Sequence, residues 1–209
     1  MSKELVIVFV KNIRLGHVKT RLAQTIGDQG ASEVYNELVK VTEKATKNLN
    51  ADLRIYFSDA VVDSLWQGDY KTIQKGENLG HRMKNAFIEG FEDDYRSIVL
   101  IGSDLPDISS DHINNGLHAL NKTEVVFGPA QDGGYYLVGM SRLHHIIFDD
   151  KPWSQANLLT KTLEEIKKND LSYHLLKPLN DIDTYEDLIA SEFFRSNKAL
   201  KQRIKQLND

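Results

Sequence analysis

The stretch that decides the fold is Arg96–Pro106, RSIVLIGSDLP, in which a short apolar run ends abruptly in polar residues. The run Ile98–Ile101 is typical of a strand that is buried on both faces of a parallel sheet. Pro106 excludes a helix that continues through this stretch. Because ligands of parallel sheets bind beyond the carboxyl ends of the strands, Asp104 is predicted to face a binding crevice. Taken alone, such an aspartate is more often a turn residue or a helix cap.

The rest of the chain alternates between strand and helix patterns around this strand. Leu5–Val10 is a second continuous apolar run and predicts a central strand. Further strands are predicted at 52–57, 71–74, 124–128 and 171–176, and helices at 30–48, 60–66, 79–91, 109–120, 158–168 and from 184 onward. Strands joined by helices of this length form right-handed parallel crossovers. The predicted class is therefore α/β, a three-layer α/β/α sandwich with a mainly parallel central sheet, with an antiparallel excursion after residue 128.

Bulk properties narrow the class of protein. A chain of 209 residues without a repeat or linker is expected to form one domain, 1–209. A net charge of −4 argues against a nucleic-acid partner, and no apolar run of membrane-spanning length occurs. The absence of cysteine excludes disulfides and thiolate chemistry. No signal region follows the first residues, so a cytoplasmic location is expected.

A glycine and several basic residues directly follow the first predicted strand. Gly16 is followed closely by Lys19, Thr20 and Arg21. A glycine lets backbone N–H groups approach an anion, and lysine and arginine add positive charge. These residues predict a loop that holds phosphate, although the P-loop pattern is absent. On its own, such a segment is more often a solvated basic loop, and its position directly after the first strand favours the phosphate interpretation.

Two acidic stretches could complete such a site by holding Mg²⁺ or Mn²⁺. These ions prefer carboxylate oxygens together with phosphate oxygens and water. Asp104 could be one ligand, with Asp183 or Asp181 as the other, if both loops meet at one edge of the sheet. The alternative for Asp181 and Asp183 is helix capping. Thr184, followed three residues later by Asp187, predicts an acidic form of the capping box at the start of the C-terminal helix.

The glycine-rich segment after residue 128 is the third candidate. Asp132, Gly133 and Gly134 predict a tight loop, and Tyr135 begins the strand that follows. The same residues would also fit a simple hairpin turn. In the functional interpretation, Asp132 binds an acceptor hydroxyl or acts as a base.

The order of the motifs GHVKTRLA, LGHRM, IGSDLP, GPAQDGGYYLVG and DIDTYEDL resembles a bacterial glycosyltransferase-like family of uncharacterised function. That family belongs to the nucleotide-diphospho-sugar transferase (GT-A) superfold, and the resemblance spans nearly the whole chain. More distantly, the layout is similar to nucleotidyltransferases that activate phospholactate, molybdopterin or sugar phosphates.

The resemblance implies a role for each candidate position. Gly16, Lys19 and Arg21 would hold the nucleotide phosphates. Asp104 would be the first metal ligand and Asp183, or Asp181, the second. The residues Asp132, Gly133, Gly134 and Tyr135 would form the acceptor side.

Two positions depart from the family pattern. Asn12–Leu15 replace the usual prolines before the first-loop glycine, which predicts a more flexible and more basic loop. Leu105 replaces a common cysteine while the neighbouring carboxylate is retained.

The leading hypothesis is a metal-dependent glycosyltransferase that uses a nucleotide sugar and a small-molecule acceptor. The metal would neutralise the diphosphate leaving group while Lys19 and Arg21 hold its charge. The first alternative is a nucleotidyltransferase that couples a nucleoside triphosphate to a phosphorylated acceptor and releases pyrophosphate. The second alternative is a catalytically silent nucleotide-binding domain.

Overall fold

A computed structural model describes residues 3–208 of the chain. The strands are β1 Glu4–Val10, β2 Asp52–Phe57, β3 Tyr70–Ile73, β4 Ser97–Ile101, β5 Val125–Pro129, β6 Tyr135–Met140 and β7 Tyr173–Leu175. The helices are α1 Thr20–Thr46, α2 Leu79–Glu92, α3 Ser110–Ala119, α4 Leu158–Lys168, α5 Tyr185–Ala190, α6 Glu192–Ser196 and α7 Lys198–Asn208.

The strands form one mixed sheet in the order β3-β2-β1-β4-β6-β5-β7. Within the described residues, β6 alone runs antiparallel to its neighbours, and the other pairings are parallel. The predicted α/β class and the antiparallel excursion after residue 128 are therefore confirmed. The carboxyl ends of β1, β4 and β5 and the start of β6 consequently lie at one edge of the sheet.

Both faces of the sheet are covered, which explains why β1 and β4 are continuous apolar runs. Leu5, Val6, Ile7 and Val8 are fully buried, as is expected for a strand with helices on both sides. Residues of α1 and α3 pack on one face and residues of α2 and α4 on the other. A third apolar cluster joins α1 to α5 and α7.

Two predicted helices differ in the structure. The first begins at Thr20 rather than residue 30, and Gly27, with a φ of 73°, interrupts it. The segment 60–66, predicted to be a short helix, forms turns instead. There Trp66 adopts a φ of 43°, and its backbone N–H donates to Glu43 Oε1 at 2.8 Å and not to a helix carbonyl. Its indole N–H donates to Thr46 Oγ1 at 2.9 Å in a buried contact.

Among the described residues, no helix combines the length and apolarity needed to cross a bilayer.

Candidate active site

The loop after β1 directs Lys19 into the sheet edge. Gly16 adopts a φ of 75° and Lys19 a φ of 48°, so the chain reverses sharply before α1 begins. The Lys19 side chain is only 7% exposed, and its Nζ donates to Asp104 Oδ2 at 3.1 Å. Two predicted site residues, Lys19 after β1 and Asp104 after β4, are therefore brought together.

Asp104 follows β4 and stays ionised because of Lys19. Burial raises the pKa of the Asp104 carboxyl, but the charge and hydrogen bond of Lys19 outweigh burial and hold the pKa below its ordinary value. The side chain nevertheless remains 41% exposed, so it is available to a ligand in the crevice.

A buried hydroxyl fixes the two loops that carry this pair. The Lys11 backbone N–H donates to Tyr35 Oη at 2.9 Å, and the same oxygen lies 2.7 Å from Ser103 Oγ. Burial raises the pKa of Tyr35 to about 12, so its hydroxyl is protonated at neutral pH. Tyr35 thus connects the end of β1 to the residue before Asp104. The sequence did not predict this link, because a tyrosine on the apolar face of a helix is usually a core residue.

The loop between β7 and α5 brings the other two predicted aspartates to the same edge. Arg21 Nη1 donates to Asp183 Oδ2 at 2.9 Å in an exposed pair. Burial, followed by the charge of Asp104, raises the pKa of Asp181 to about 6. Ile182 lies between these two aspartates in sequence, and its side chain is buried against α1 and anchors the loop.

Capping holds the start of α5 beside this loop. Thr184 and Asp187 form the predicted capping box, and the Asp187 carboxylate also accepts from the Asp183 N–H. The capping interpretation therefore applies to Thr184 and Asp187, while the side chains of Asp181 and Asp183 are left for the crevice.

The turn between β5 and β6 carries the predicted acceptor residues. Asp132 Oδ1 accepts from the Gly134 N–H at 2.9 Å, which fixes the carboxylate in the turn. Gly133 has a φ of 90°, and a Cβ there would overlap the carbonyl oxygen of Ala156, so only glycine fits. The Tyr135 ring packs at a tilt against the Phe127 ring, with centroids 5.1 Å apart. Burial raises the pKa of the Tyr135 hydroxyl well above the ordinary value.

These elements enclose a cleft with two connected parts that share Phe9, Leu79, Gly102 and Asp104. One part, about 540 Å³, is lined by Lys19, Thr20 and Asp183 together with Lys11, His17 and Arg82, and is called the nucleotide chamber after the role predicted for its basic loop. The other part, about 340 Å³, is lined by Asp132, Gly134, Tyr135 and Asp181, and is called the acceptor chamber after the role predicted for these residues. Asp104 borders both chambers.

Sequence reasoning gave no role to residues that build the cleft walls from the β3–α2 segment. Gln74 Nε2 donates to the Tyr56 carbonyl at 3.0 Å, and Arg82 Nε donates to the Gly76 carbonyl at 3.2 Å. Gly80 packs against Trp153, since a Cβ there would lie 2.7 Å from the indole. The motif LGHRM includes Gly80 and Arg82, but from the sequence it predicted only the start of a helix.

A metal ion would have to share its coordination with a substrate. No group of three or more histidine, aspartate or glutamate side chains that could hold a metal lies within the part of the chain that the structure describes. The carboxylates of Asp104 and Asp183, which both line a chamber that also carries Lys11, Lys19 and Arg82, nevertheless fit Mg²⁺ or Mn²⁺, because these ions take remaining ligands from phosphate and water.

The mixed α/β sheet, with its cleft at the carboxyl edge, has the nucleotide-diphospho-sugar transferase fold of its structural neighbours. The chain belongs to the bacterial family DUF2064, described as an uncharacterized protein conserved in bacteria, whose pattern matches residues 41–155.

Three relatives illustrate the likeness. The crystal structure of a protein from Desulfovibrio desulfuricans G20, provisionally assigned as a nucleotide-diphospho-sugar transferase, is 30% identical with a TM-score of 0.84 and 99% coverage of both chains. The 2-phospho-L-lactate guanylyltransferase of Methanocaldococcus infernus is 26% identical over 93% of this chain and 88% of its own. The inositol-1-phosphate CTP transferase of T. maritima shares the fold, with 14% identity, a TM-score of 0.56 and coverage of 99% and 98%.

The resemblance predicted from the sequence is confirmed by these findings, as is the assignment to the transferase class. The relatives named for a specific reaction transfer nucleotidyl groups. The leading hypothesis of glycosyl transfer is therefore less well supported than the nucleotidyl-transfer alternative.

Proposed function

We propose that the protein is a nucleotidyltransferase that joins a nucleoside triphosphate to a phosphorylated small molecule and releases pyrophosphate. The observation that carries the proposal is the Lys19–Asp104 pair, which stands where the basic nucleotide chamber meets the acceptor chamber. The guanylyltransferase relatives point to the same reaction, and GTP is the first triphosphate to test.

The nucleotide chamber supplies the charges that a triphosphate needs. The loop from Gly16 to Lys19 leads into the start of α1, whose first turn carries no acidic side chain, so its free N–H groups suit an anion. Lys19 and Arg21 hold the phosphates, with Thr20 beside them. As the α-phosphorus is attacked, the positive charge of Lys19 offsets the charge that develops on the departing pyrophosphate.

Asp104 and Asp183, which both line the nucleotide chamber, are the proposed ligands of Mg²⁺ or Mn²⁺. Asp181 is the alternative second ligand and faces the acceptor chamber. When bound, the metal supplies neutralising charge to the triphosphate. In this arrangement Arg21 leaves Asp183 and turns to the phosphates.

The acceptor side orients the attacking group. An oxygen of the acceptor phosphate forms a bond to the α-phosphorus, and the bond from that phosphorus to the pyrophosphate oxygen breaks. Asp132, Gly133, Gly134 and Tyr135 bound the space in which the rest of the acceptor lies. Because the Asp132 carboxylate is fixed by the Gly134 N–H, it orients an acceptor hydroxyl or amine without reorganising.

Glycosyl transfer from a nucleotide sugar is the second candidate, because the relative with 30% identity carries that class assignment. Both reactions use the same nucleotide chamber, and they differ in the leaving group. Nucleotidyl transfer releases pyrophosphate, whereas glycosyl transfer releases a nucleoside diphosphate or monophosphate.

The test is a product assay with each nucleoside triphosphate, and separately with nucleotide sugars, in the presence of Mg²⁺ or Mn²⁺ and a set of phosphate monoesters. We expect metal-dependent pyrophosphate release that Asp104→Asn abolishes. The control Asp93→Asn breaks the ion pair with Arg54, away from the cleft, and should leave activity unchanged. Release of nucleoside diphosphate from a sugar donor alone would favour glycosyl transfer, and no turnover would favour a silent binding domain.

A further inference from the structure

The acceptor chamber has an unusual charge pattern for a site that binds phosphorylated compounds. The carboxylates of Asp104, Asp132 and Asp181 line it. No lysine, arginine or histidine is found among its lining residues, which all belong to the described part of the chain. Of these three carboxylates only that of Asp104 has a basic partner, Lys19, so within the described residues Asp132 and Asp181 have no side-chain counterion.

Three lysines that neighbour the lining, in sequence or at its boundary, are already paired with carboxylates. Lys84, next to Met83, donates to the carboxylate of Asp149 at 2.9 Å. Lys151, two residues before Trp153, is buried and donates to Glu165 Oε2 at 2.6 Å. Lys19, at the boundary with the nucleotide chamber, is already paired with Asp104. Recruiting any of them would leave a carboxylate without its partner.

Much of the remaining wall is apolar. Met83, Leu100, Val138 and Leu158 contribute aliphatic surface, and Trp153 adds an indole that is fixed against Gly80. A wall of this kind binds a carbon skeleton, and it lowers the local dielectric so that uncompensated charges repel more strongly than in water.

We propose that the acceptor is a phosphate monoester whose remaining body has an apolar part and is either uncharged or cationic, and that the chamber rejects a second anionic group. This inference rests on the proposed function, because it places the reacting phosphate at Lys19 and the nucleotide chamber. A carboxylate beside that phosphate would enter a chamber that already holds the carboxylates of Asp132 and Asp181, neither of which has a basic partner among the described residues. An amine or a hydroxyl would instead meet Asp132 and Asp181 as hydrogen-bond acceptors.

Two pairs of compounds isolate the second charge. Ethyl phosphate and 2-phospholactate differ by one carboxylate, and so do phosphoethanolamine and phosphoserine. Each is titrated calorimetrically into the protein that has been saturated with Mg²⁺ and the α,β-methylene analogue of GTP, which cannot transfer its nucleotidyl group. We expect the carboxylate-free member of each pair to bind at least about tenfold more tightly.

A substitution in the wall should remove most of this preference. Gln155 lines the chamber and is exposed, so Gln155→Arg adds a cation without disturbing the core. We expect the affinity for the carboxylated member to rise by about tenfold, whereas the matched surface variant Gln24→Arg changes neither affinity. Gln24 lies on the exposed side of α1, outside both chambers.

The outcomes separate the two proposals. If the GTP analogue does not bind with Mg²⁺, the proposed function fails and the inference falls with it. If the analogue binds but the carboxylated compounds bind equally well or better, or no member of either pair binds, the nucleotide chamber stands and the inference about the acceptor is overturned.

Discussion

The nucleotide chamber and the acceptor chamber differ both in charge and in how the chain builds them. The first takes most of its chemistry from one loop, where Gly16 and Lys19 adopt left-handed backbone conformations before α1. The second is assembled from β4, the β5–β6 turn, the loop before α4 and the loop before α5. A phosphate site can thus be encoded locally, whereas the pocket that selects the partner depends on tertiary packing.

The largest effect should come from the charge at the boundary between the two chambers. Lys19→Met removes the cation from Asp104 and from the proposed phosphate site. We expect turnover to fall by about 100- to 1,000-fold, as for the loss of one preorganised charge-stabilising group. The measurement is the initial rate of pyrophosphate release, and an activity within a few-fold of the natural protein would contradict the role of Lys19.

The acceptor chamber depends on a close backbone contact that can be tested by stability. Gly133→Ala places a Cβ against the Ala156 carbonyl and also strains the φ of 90°. We expect a loss of several kcal/mol in the free energy of unfolding, because strain of about 1–3 kcal/mol adds to the clash. Gly68→Ala is the matched control, since Gly68 has the same φ with open space around it, and it should lose only the strain. Equal losses in urea titrations would show that the contact with Ala156 is unimportant.

Tyr35→Phe should loosen the link between the two loops while leaving the ring in place. Without the hydroxyl, the Lys11 N–H and the Ser103 hydroxyl lose a buried partner, which costs about 1–3 kcal/mol of stability. We also expect kcat to fall about tenfold with little change in KM, because Asp104 is less well positioned. Tyr95→Phe removes a hydroxyl that donates to Asp52 at the other end of the sheet. That variant should lower stability alone, and an equal loss of kcat there would refute the positioning role of Tyr35.

The smallest effect concerns the loop that serves both chambers. Burial raises the pKa of Asp187, but its hydrogen bonds from Thr184 and Asp183 outweigh burial and hold the pKa below its ordinary value. A folded-state pKa that is depressed contributes stability above the unfolded-state pKa, and this contribution is lost as the pH falls through the folded-state value. Asp187→Asn should therefore cost about 1 kcal/mol at pH 7 and progressively less below pH of about 4. Unfolding in urea across this range measures the difference, and a cost that does not depend on pH would contradict it.

The sequence was most informative where one short segment determines its own structure. The apolar runs of β1 and β4, the aspartate after β4 and the capping box at Thr184 were all predicted, because each follows from local composition and spacing. The segment 60–66 was predicted wrongly because the buried hydrogen bond from Trp66 to Thr46 overrides local helix preference.

The sequence could not predict which residues meet across the cleft. Lys19 and Asp104 are 85 residues apart, and Arg21 and Asp183 are 162 residues apart, so their pairing depends on the order of strands in the sheet. Tyr35 gave no functional signal because an aromatic residue on an apolar helix face usually belongs to the core. The acidity of the acceptor chamber likewise emerges only when Asp104, Asp132 and Asp181, from three separate loops, are placed together.

The most direct test of the account is a calorimetric titration with the α,β-methylene analogue of GTP and with GDP-mannose, each with and without Mg²⁺. The natural protein and Asp104→Asn are compared. We predict that the triphosphate analogue binds only with Mg²⁺, binds more tightly than the nucleotide sugar, and loses its metal-dependent binding in Asp104→Asn. Tighter binding of the sugar nucleotide, or triphosphate binding that is indifferent to Mg²⁺ and to Asp104, would contradict a metal-dependent nucleotidyltransferase.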